Sequence, residues 1–378
     1  MTGAVIAGYA RSPLTLANKG ALTRVRPDEL AAAVVKALVE RTGIDHNTVE
    51  DLIVGCAFPE GEQGLNVARN IGFLADLPNS VAGTTVNRFC GSSMQAIHMA
   101  AGAIALGAGD AFLCAGIESM TRVPMPGFNP MLNPKLVDAG HAAYMGMGET
   151  AENLANKYDI SREKQDAFAV ESHKRAAAAQ SDGRFDDEIV PIDSRDCVVD
   201  KDGCIRPDTT MEILADLKPA FDQSGSVTAG TSSPLTDGSA AVLVTTEDYA
   251  KTHGLTPLAR IKSIAVAGCA PEIMGIGPVN ATNKALERAG LKLDDMDVIE
   301  LNEAFAAQSL AVIHDLGIDL SKTNIDGGAI ALGHPLGATG ARITGKAAQI
   351  MQREGKKYAL ATQCIGGGQG IATVLETL

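Results

Sequence analysis

The segment KALVERTG at residues 36–43 returns as KALERAG at residues 284–290, and this repetition decides the fold. In each copy a helical pattern ends at a glycine, which is the usual residue just beyond a helix C-terminus. An acidic turn and a short apolar segment typical of a strand follow both copies, at residues 52–54 and 298–301. Two copies of one helix–strand unit predict an α/β fold built by duplication.

Further matches occur at the same spacing of about 250 residues. A helix that begins near Gly91 corresponds to one that begins near Gly340. The strand pattern at residues 111–116 corresponds to the pattern at residues 358–364. Chance similarity between two ordinary strand–helix patterns is the alternative, but several matches at one spacing favour duplication.

A long central segment has no counterpart in the second half of the chain. It contains a helical pattern from Ser161 to about residue 180, and serine is a favoured N-cap. The apolar run at residues 240–246 then has the pattern of a strand that completes the first sheet. We therefore predict that this segment is an insertion across the face of the fold that carries the active site. The first half then spans 1–117 plus 235–256, the inserted loop domain spans 118–234, and the second half spans 257–378.

Charge and hydropathy exclude several classes of protein. The formal net charge is -13, which argues against nonspecific binding to nucleic acid or to an anionic membrane surface. No segment reaches the roughly 18–20 apolar residues of a membrane span. The first residues, MTGAVIAGY, have the pattern of a first strand and lack the basic start of a signal peptide.

The cysteines indicate a reducing compartment. There are seven, an odd number, and none forms a Cys-x-x-Cys pair. This pattern favours the cytoplasm over a disulfide framework, and it argues against a zinc site.

Cys90 is a candidate nucleophile. It follows an extended run at residues 84–87 and precedes a helix whose first residues are small, which leaves room for a substrate. A thiol at a helix N-terminus lies at the positive end of the macrodipole, which favours the thiolate. The alternative, a buried structural cysteine, is the default for an isolated Cys, but this setting favours the nucleophile.

Three other residues stand in settings that suit catalysis. His334, between Gly333 and Pro335 at the tip of a predicted loop, is a natural base for a thiol, although a solvent-facing loop histidine is the alternative. Cys364 precedes three glycines whose N–H groups could converge on an oxyanion, and an incidental cysteine in a tight turn is an equal alternative. Asn302 follows a strand and could position a water or a substrate oxygen, or cap the next helix, or both.

These residues resemble the thiolase family, close to its bacterial degradative 3-ketoacyl-CoA thiolases. The resemblance spans nearly the whole chain and is carried by four motifs in order: NRFCGS at 87–92, NEAF at 302–305, GHP at 333–335 and CIGGG at 364–368. It implies a five-layered α/β/α/β/α fold of two duplicated halves, in which the inserted loop domain covers the coenzyme A (CoA) site.

The resemblance also implies roles for these residues in CoA-dependent cleavage of a 3-ketoacyl-CoA to acetyl-CoA and a shortened acyl-CoA, and in the reverse Claisen condensation. Cys90 attacks the 3-keto carbon with the help of His334. His334 and a water held by Asn302 stabilise the enolate, and Cys364 protonates it. The backbone N–H groups of Cys90 and Gly366 form a second oxyanion hole. No metal or other cofactor is implied, because CoA is a substrate.

The same resemblance implies the residues that bind the substrate and the partners of the chain. The substrate-binding residues are Arg206, Phe221, Ser233, Met147, Ala304 and Phe305. The ligands are 3-ketoacyl-CoA, CoA and acetyl-CoA, and the expected assembly is a homodimer or homotetramer. The expected setting is fatty acid β-oxidation.

Several alternatives stay open at this point. Acetoacetyl-CoA-specific acetyl-CoA acetyltransferases usually carry His where Gly146 stands and Gly-Leu where Pro234 and Leu235 stand, so these residues favour the degradative, broader-chain type. Ketosynthase-type enzymes need a second His at Asn302, and hydroxymethylglutaryl synthases use a Glu in place of the second thiol. A non-catalytic acyl-CoA-binding protein on the same fold is the last alternative.

Overall fold

The computed structural model describes residues 3–378, in which strands and helices alternate as the duplication predicts. The strands are β1 (Ala4–Arg11), β2 (Thr15–Leu16), β3 (Asp51–Cys56), β4 (Ala82–Val86), β5 (Ala111–Ser119), β6 (Ile192–Asp193), β7 (Val198–Val199), β8 (Thr236–Thr246), β9 (Ala259–Gly268), β10 (Val298–Leu301), β11 (Tyr358–Ile365) and β12 (Gln369–Glu376). The first two residues of the predicted first strand lie outside the described residues.

The helices alternate with these strands. They are α1 (Pro27–Thr42), α2 (Val67–Leu74), α3 (Ser92–Ala105), α4 (Pro134–Asp138), α5 (Met147–Lys157), α6 (Arg162–Ser181), α7 (Met211–Ala215), α8 (Glu247–Thr252), α9 (Gly277–Ala289), α10 (Ala306–Leu316), α11 (Ala329–Leu332) and α12 (Thr339–Glu354). In residues 3–378 no helix is long and apolar enough to span a membrane.

The strand pairing is the same in the two halves, which confirms the predicted duplication. In the first half β3 runs parallel to β5, β5 antiparallel to β8, and β8 antiparallel to β1. In the second half β10, β11, β12 and β9 pair with the same directions. Within the part of the chain that the structure describes, the two sets of strands meet at two residue pairs, Val5 with Arg260 and Ile6 with Ala259.

Three hydrophobic clusters separate five layers, as predicted. Helices α1 and α2 pack on the outer face of the first sheet through residues such as Val34 and Ile71. Helices α3 and α12 fill the space between the sheets, where Ile97 and Ile343 belong to a cluster that includes residues of both inner faces. Helices α9 and α10 cover the outer face of the second sheet. The order is therefore helix, sheet, helix, sheet, helix.

The two central helices pack unusually closely, because glycine stands where they meet. A Cβ atom built on Gly340 of α12 would lie 2.2 Å from the backbone nitrogen of Met94 in α3. Real Cβ atoms do not approach other atoms that closely, so only glycine fits. This contact brings the N-terminal ends of α3 and α12 together, and these ends lie beside Cys90 and His334.

The inserted segment lies between β5 and β8, and its main helix begins where the sequence predicts. The Ser161 hydroxyl accepts a hydrogen bond from the Lys164 backbone N–H at 3.3 Å, which confirms the N-cap. Farther along, Ala176 and Ala179 of α6 pack against Ala331 and Leu332 of α11. The insertion thus rests on the segment that leads into His334.

One strand is longer than predicted. We expected it to begin at residue 240, but β8 begins at Thr236 and includes the buried polar residues at its start. The Asp237 carboxylate accepts hydrogen bonds from the Ser119 hydroxyl at 3.1 Å and the Thr121 N–H at 2.9 Å. These partners make burial of a polar strand end favourable. The alternation of apolar and polar residues in the sequence cannot indicate such partners.

Candidate active site

Both halves and the insertion line a cavity of about 430 Å³. Cys90, His334 and Cys364 all reach it, although they lie far apart in sequence. The other lining residues are Met120, Met125, Gly146, Met147, Gly148, Glu149, Ala220, Phe221, Ser232, Ser233, Pro234, Leu235, Met274, Ala304, Phe305 and Leu336. The structure therefore brings two thiols and an imidazole into one largely apolar site.

Cys90 lies in a 3₁₀ turn, Phe89–Gly91, at the head of α3, and only 8% of it is exposed. The backbone N–H groups of Gly366 and of Cys90 itself lie close enough to the thiol to favour its charged form and so to lower its pKa. The Cys90 backbone carbonyl accepts a hydrogen bond from the Gln363 side-chain amide. This hydrogen bond holds the turn against β11.

The expectation that the helix N-terminus favours a Cys90 thiolate is wrong for the resting protein. Burial raises the pKa of the Cys90 thiol to about 12, and the nearby Glu118 carboxylate raises it further, whereas the two backbone N–H groups oppose this. Desolvation of a thiolate outweighs the helix dipole here because the sulfur is nearly out of contact with water. Cys90 is a neutral thiol before it reacts.

His334 is buried rather than solvent-facing, with 4% of its surface exposed. Its Nδ1 lies 2.6 Å from the Thr339 hydroxyl, which in turn donates to the Pro335 carbonyl at 3.0 Å. The hydroxyl therefore accepts from Nδ1–H, and this leaves Nε2 unprotonated. Burial, assisted by the positive charge of Arg342, lowers the pKa of His334 to about 3, so that the ring is neutral.

Asn302 follows β10 and faces the imidazole. Its side-chain nitrogen lies 3.4 Å from Nε2 of His334, and its buried carbonyl oxygen has no hydrogen-bond partner. An amide oxygen without a partner at this position can hold a water molecule or a substrate oxygen. The alternative role as a helix N-cap is wrong, because Phe305 occupies that position for α10.

Cys364 lies near the end of β11 and is fully buried. Burial raises the pKa of its thiol well above the usual value, and the neighbouring Cys90 raises it further. Gly367 and Gly368, with φ angles of 79° and 83°, then turn the chain into β12. This left-handed turn follows Gly366, whose backbone N–H favours the charged form of the Cys90 thiol. The glycine run therefore places the Gly366 backbone near Cys90.

The structure brings five of the six predicted substrate-binding residues to the cavity: Met147, Phe221, Ser233, Ala304 and Phe305. The rings of Phe221 and Phe305 meet edge to face, with centroids 5.8 Å apart. Arg206 does not line the cavity. It is exposed, and its backbone N–H donates to the His173 ring at 3.2 Å.

Sequence reasoning missed three polar residues that hold the site together. Thr339 fixes the His334 tautomer, Gln363 holds the Cys90 carbonyl, and the buried Glu118 carboxylate binds backbone N–H groups around both turns. Glu118 could have been recognised from the sequence, because it is the only charged residue in the apolar strand AFLCAGIES. A charge in such a strand is seldom buried without a specific set of partners. No such sequence feature distinguishes Thr339 or Gln363.

Sequence comparison places the chain in a known family. The family model for the thiolase N-terminal domain matches residues 4–248, and that for the thiolase C-terminal domain matches residues 255–377. The chain therefore belongs to the thiolase family, as its motifs predicted. The domain boundaries predicted after residues 117, 234 and 256 remain predictions.

Similar proteins match over essentially their full length. The 3-ketoacyl-CoA thiolase of Bacillus subtilis is 49% identical, with 100% of both chains covered. That of Marinobacter nauticus is 51% identical, with 99% of this chain and 98% of the relative covered.

Two solved structures are similar in fold as well as in sequence. One is human mitochondrial 3-ketoacyl-CoA thiolase in complex with CoA, with a TM-score of 0.92, 40% identity, and 100% and 98% of the two chains covered. The other is the Bacillus anthracis acetyl-CoA acetyltransferase, with a TM-score of 0.93, 42% identity, and 100% and 99% covered. The predicted fold class is thus confirmed.

Proposed function

We propose that the protein cleaves a 3-ketoacyl-CoA with CoA, giving acetyl-CoA and a shortened acyl-CoA, and that it runs the reverse Claisen condensation. One observation carries this proposal: the Cys90 thiol shares a cavity with a neutral imidazole and a second thiol. The relatives named 3-ketoacyl-CoA thiolase support it, and they suggest a role in fatty acid β-oxidation.

The first step starts from a neutral pair. As Cys90 attacks the 3-keto carbon, its proton passes to the free Nε2 of His334. The bond between the second and third carbons then breaks, the acyl group stays on Cys90, and the electron pair goes to the acetyl-CoA enolate. The protonated His334 and a water held by Asn302 stabilise the enolate oxygen, and Cys364 gives its proton to the enolate carbon.

The second step transfers the acyl group to CoA. Cys364, now a thiolate, takes the proton of the incoming CoA thiol, and the CoA sulfur attacks the acyl-Cys90 carbonyl. The tetrahedral oxygen is held by the backbone N–H groups of Cys90 and Gly366. Each such donor contributes roughly 3–4 kcal/mol to stabilising the transition state. The Cys90 sulfur leaves with the proton stored on His334, and the resting state returns.

The cavity walls indicate where the two parts of the substrate lie. Met120 and Leu336 pack around Cys90, so the acyl chain extends along them. Met147, Met274 and Phe305 pack around Cys364, and we place the pantetheine arm against this second wall, with Ser233 and Phe221 at its side. Arg206 stays a candidate for the nucleotide end, outside the cavity.

A purified-protein assay tests the function. Loss of the ultraviolet absorbance of the magnesium enolate is followed with acetoacetyl-CoA and with 3-ketodecanoyl-CoA, each in the presence of CoA. We expect turnover of both, no turnover by Cys90→Ala, and an acyl group on Cys90 in the mass spectrum. If neither substrate is turned over, the proposal is refuted. Binding of acyl-CoA without any turnover would favour the non-catalytic alternative.

Acetoacetyl-CoA-specific acetyl-CoA acetyltransferase is the second candidate, because one similar structure carries the name acetyl-CoA acetyltransferase. Against it, Gly146, Pro234 and Leu235 line the cavity without the His and Gly expected of that type. Turnover confined to acetoacetyl-CoA would favour it. Mass spectrometry of the products would also distinguish the ketosynthase and hydroxymethylglutaryl synthase reactions, which Asn302 and Cys364 already disfavour.

We further propose at least a homodimer, and a cytoplasmic location. Strand β4 is the last in its sheet and pairs only with β3, so its other edge is open among the described residues. Exposed apolar side chains, Leu65, Leu74 and Leu106, lie on or beside the neighbouring helices. Open edges and apolar patches favour association. Light scattering should give at least twice the mass of one chain.

The cytoplasmic location rests on the cysteines. All seven are free, and five of them are buried. Free thiols are typical of a reducing compartment. The absence of a cofactor requirement also stays a prediction, and activity of protein dialysed against a chelator, in an assay without magnesium, checks it.

A further inference from the structure

Glu118 is a buried charge that does not line the cavity. It is the second-last residue of β5, and its exposed surface is 0%. A buried carboxylate is costly unless it is fully hydrogen-bonded, and a strand made only of apolar residues would avoid the cost. Its presence at this position calls for a specific role.

Four nitrogen donors surround the Glu118 carboxylate. One oxygen accepts from the backbone N–H groups of Ala57 and Gly337, both at 2.8 Å. The other accepts from the Gln63 side-chain amide at 2.8 Å and from the Phe58 N–H at 3.2 Å. Because these four neighbours donate, the carboxylate binds them in its ionised form. Burial raises the pKa of Glu118, and the same hydrogen bonds oppose that rise.

The bond to Gly337 ties Glu118 to the base. Gly337 lies in the 3₁₀ turn Leu336–Ala338, between His334 and its partner Thr339. A Cβ atom on Gly337 would lie 2.5 Å from the Ile117 carbonyl oxygen, so this turn is seated directly on β5. The carboxylate therefore fixes the turn that carries the imidazole and its hydroxyl partner.

The bond to Ala57 ties Glu118 to the nucleophile. The Ala57 carbonyl accepts from the Asn87 side-chain amide at 3.0 Å, and the Asn87 side-chain oxygen accepts from the Phe89 N–H at 2.8 Å. Phe89 has a φ of 44°, an uncommon left-handed conformation for a residue other than glycine, directly before Cys90. The hydrogen bonds of Asn87 hold this strained turn in place.

We propose that Glu118 is a positioning residue for both reacting side chains: its carboxylate joins the turn of Cys90 and the turn of His334 and so sets their separation. This inference rests on the proposed thiolase function. It assigns the carboxylate to the geometry of the proton transfer from Cys90 to His334, and not to substrate binding, because Glu118 does not reach the cavity.

Glu118→Gln tests the proposal. The substituted side chain keeps the shape, but its NH₂ group must face N–H donors at either position. At one position it removes the acceptor that the two turns share, and at the other it opposes the Phe58 N–H, directly after Ala57. A misplacement of about 1 Å at reacting atoms costs about 10²-fold in rate. We therefore expect kcat to fall about 10²-fold while KM stays within about twofold. The rate of acylation of Cys90 by acetyl-CoA, read by mass spectrometry, should fall by the same factor.

Glu188→Gln is the matched control. Glu188 is equally buried, but it pairs with Arg11 and Lys346, away from both catalytic turns. We expect this control to lower the melting temperature and to leave kcat per folded molecule unchanged. If Glu118→Gln behaves in the same way, with an unchanged kcat, Glu118 has only a structural role and the proposal is refuted. An inactive wild-type protein would instead refute the proposed function.

Asn87→Ala serves if the Glu118 variant does not fold. It cuts the link between Ala57 and the Cys90 turn at an exposed residue and leaves the Glu118 carboxylate intact. A fall in kcat with unchanged KM supports the proposal, and an unchanged kcat overturns it. Where both variants fold, the fold-reduction of kcat in the double variant should be smaller than the product of the two single fold-reductions. Glu118 and Asn87 act through the same chain of hydrogen bonds, and the effects of such residues are not additive.

Discussion

At the scale of single residues, the resting site holds a neutral thiol and a neutral imidazole, and the free Nε2 of the imidazole is already placed to accept a proton. Burial keeps Cys90 as a thiol and His334 as a neutral imidazole. In the proposed mechanism, proton transfer between them is therefore part of the reaction and not a step completed beforehand. This general-base step depends on the free Nε2, which Thr339 secures.

The protonation state of Cys90 gives the first prediction. Because its pKa is raised to about 12, the thiolate fraction rises tenfold per pH unit throughout the neutral range. We expect alkylation of Cys90 by iodoacetamide to accelerate about tenfold per unit between about pH 6 and pH 9, measured by peptide mass spectrometry. Cys90→Ala identifies the labelled site. A rate that is level across neutral pH would instead reveal a preformed thiolate–imidazolium pair.

Thr339→Val gives the second prediction. It removes the acceptor for Nδ1–H and frees the imidazole to rotate or change tautomer, so kcat should fall on the order of tenfold to a hundredfold. Thr344→Val is the matched control, because Thr344 is also buried in α12 and donates to the Gly340 carbonyl at 2.7 Å. Equal kcat losses in the two variants would contradict the assigned role of Thr339.

The sequence pointed to the proposed reacting side chains but not to their supports. Local sequence favoured Cys90 and His334, whereas it left Cys364 open, and the resemblance to thiolases assigned the role of Cys364. Thr339 and Glu118 act through partners that only the folded chain brings near, such as the contact of Glu118 with Gly337. The direction of the Cys90 pKa shift was mispredicted because burial cannot be read from a helix start.

At the scale of helices and strands, the tight contact of α3 with α12 allows the third prediction. Gly340→Ala places a Cβ atom against the Met94 backbone, which cannot move aside, and should lower the free energy of unfolding by about 1–3 kcal/mol or more. Gly102→Ala, in α3 with open space at its Cβ position, should raise it by about 1 kcal/mol. Urea unfolding measures both. A Gly340 variant as stable as Gly102→Ala would contradict the close contact.

Element boundaries were predictable where local chemistry decides them. Ser161 caps α6 as expected, and Pro278 stands in the first turn of α9, where proline is favoured. The start of β8 was not predictable, since its polar residues are buried only because Ser119 and Thr121 bind Asp237. Strand ends that depend on distant partners lie beyond what a pattern of apolar residues can indicate.

At the scale of the whole molecule, Asp326 joins the insertion to the central layer. It pairs with Arg184, which follows α6, and with Lys346 and Arg353 of α12. Burial opposes its charge, but the bonds to Arg353 and Lys346 lower the pKa of Asp326 to about 2. Because the folded pKa is depressed, this carboxylate stabilises the fold above about pH 4, and the stabilisation is lost as the pH falls toward 2.

Asp326→Asn gives the fourth prediction. The substitution removes one acidic partner from the buried Lys346 and from the partly exposed Arg184 and Arg353, each of which keeps a second acidic partner. The free energy of unfolding should therefore fall by about 1–3 kcal/mol at neutral pH. The difference from wild type should shrink below about pH 4, where the wild-type carboxyl begins to be protonated. Glu354→Gln is the control, because Glu354 is an exposed partner of Arg353 and should contribute less than about 1 kcal/mol. A difference that does not change with pH would contradict the assignment.

The duplication has one more consequence, at the heads of the two central helices. The 3₁₀ turn Phe89–Gly91 leads into α3, and the 3₁₀ turn Leu336–Ala338 leads into α12, so the position of Cys90 corresponds to that of Gly337. One copy of the turn carries the proposed attacking sulfur, whereas the other lies between the proposed base and the hydroxyl that orients it. The proposed catalysis thus depends on a departure from internal symmetry: one copy supplies the nucleophile, and the other aligns the group that deprotonates it.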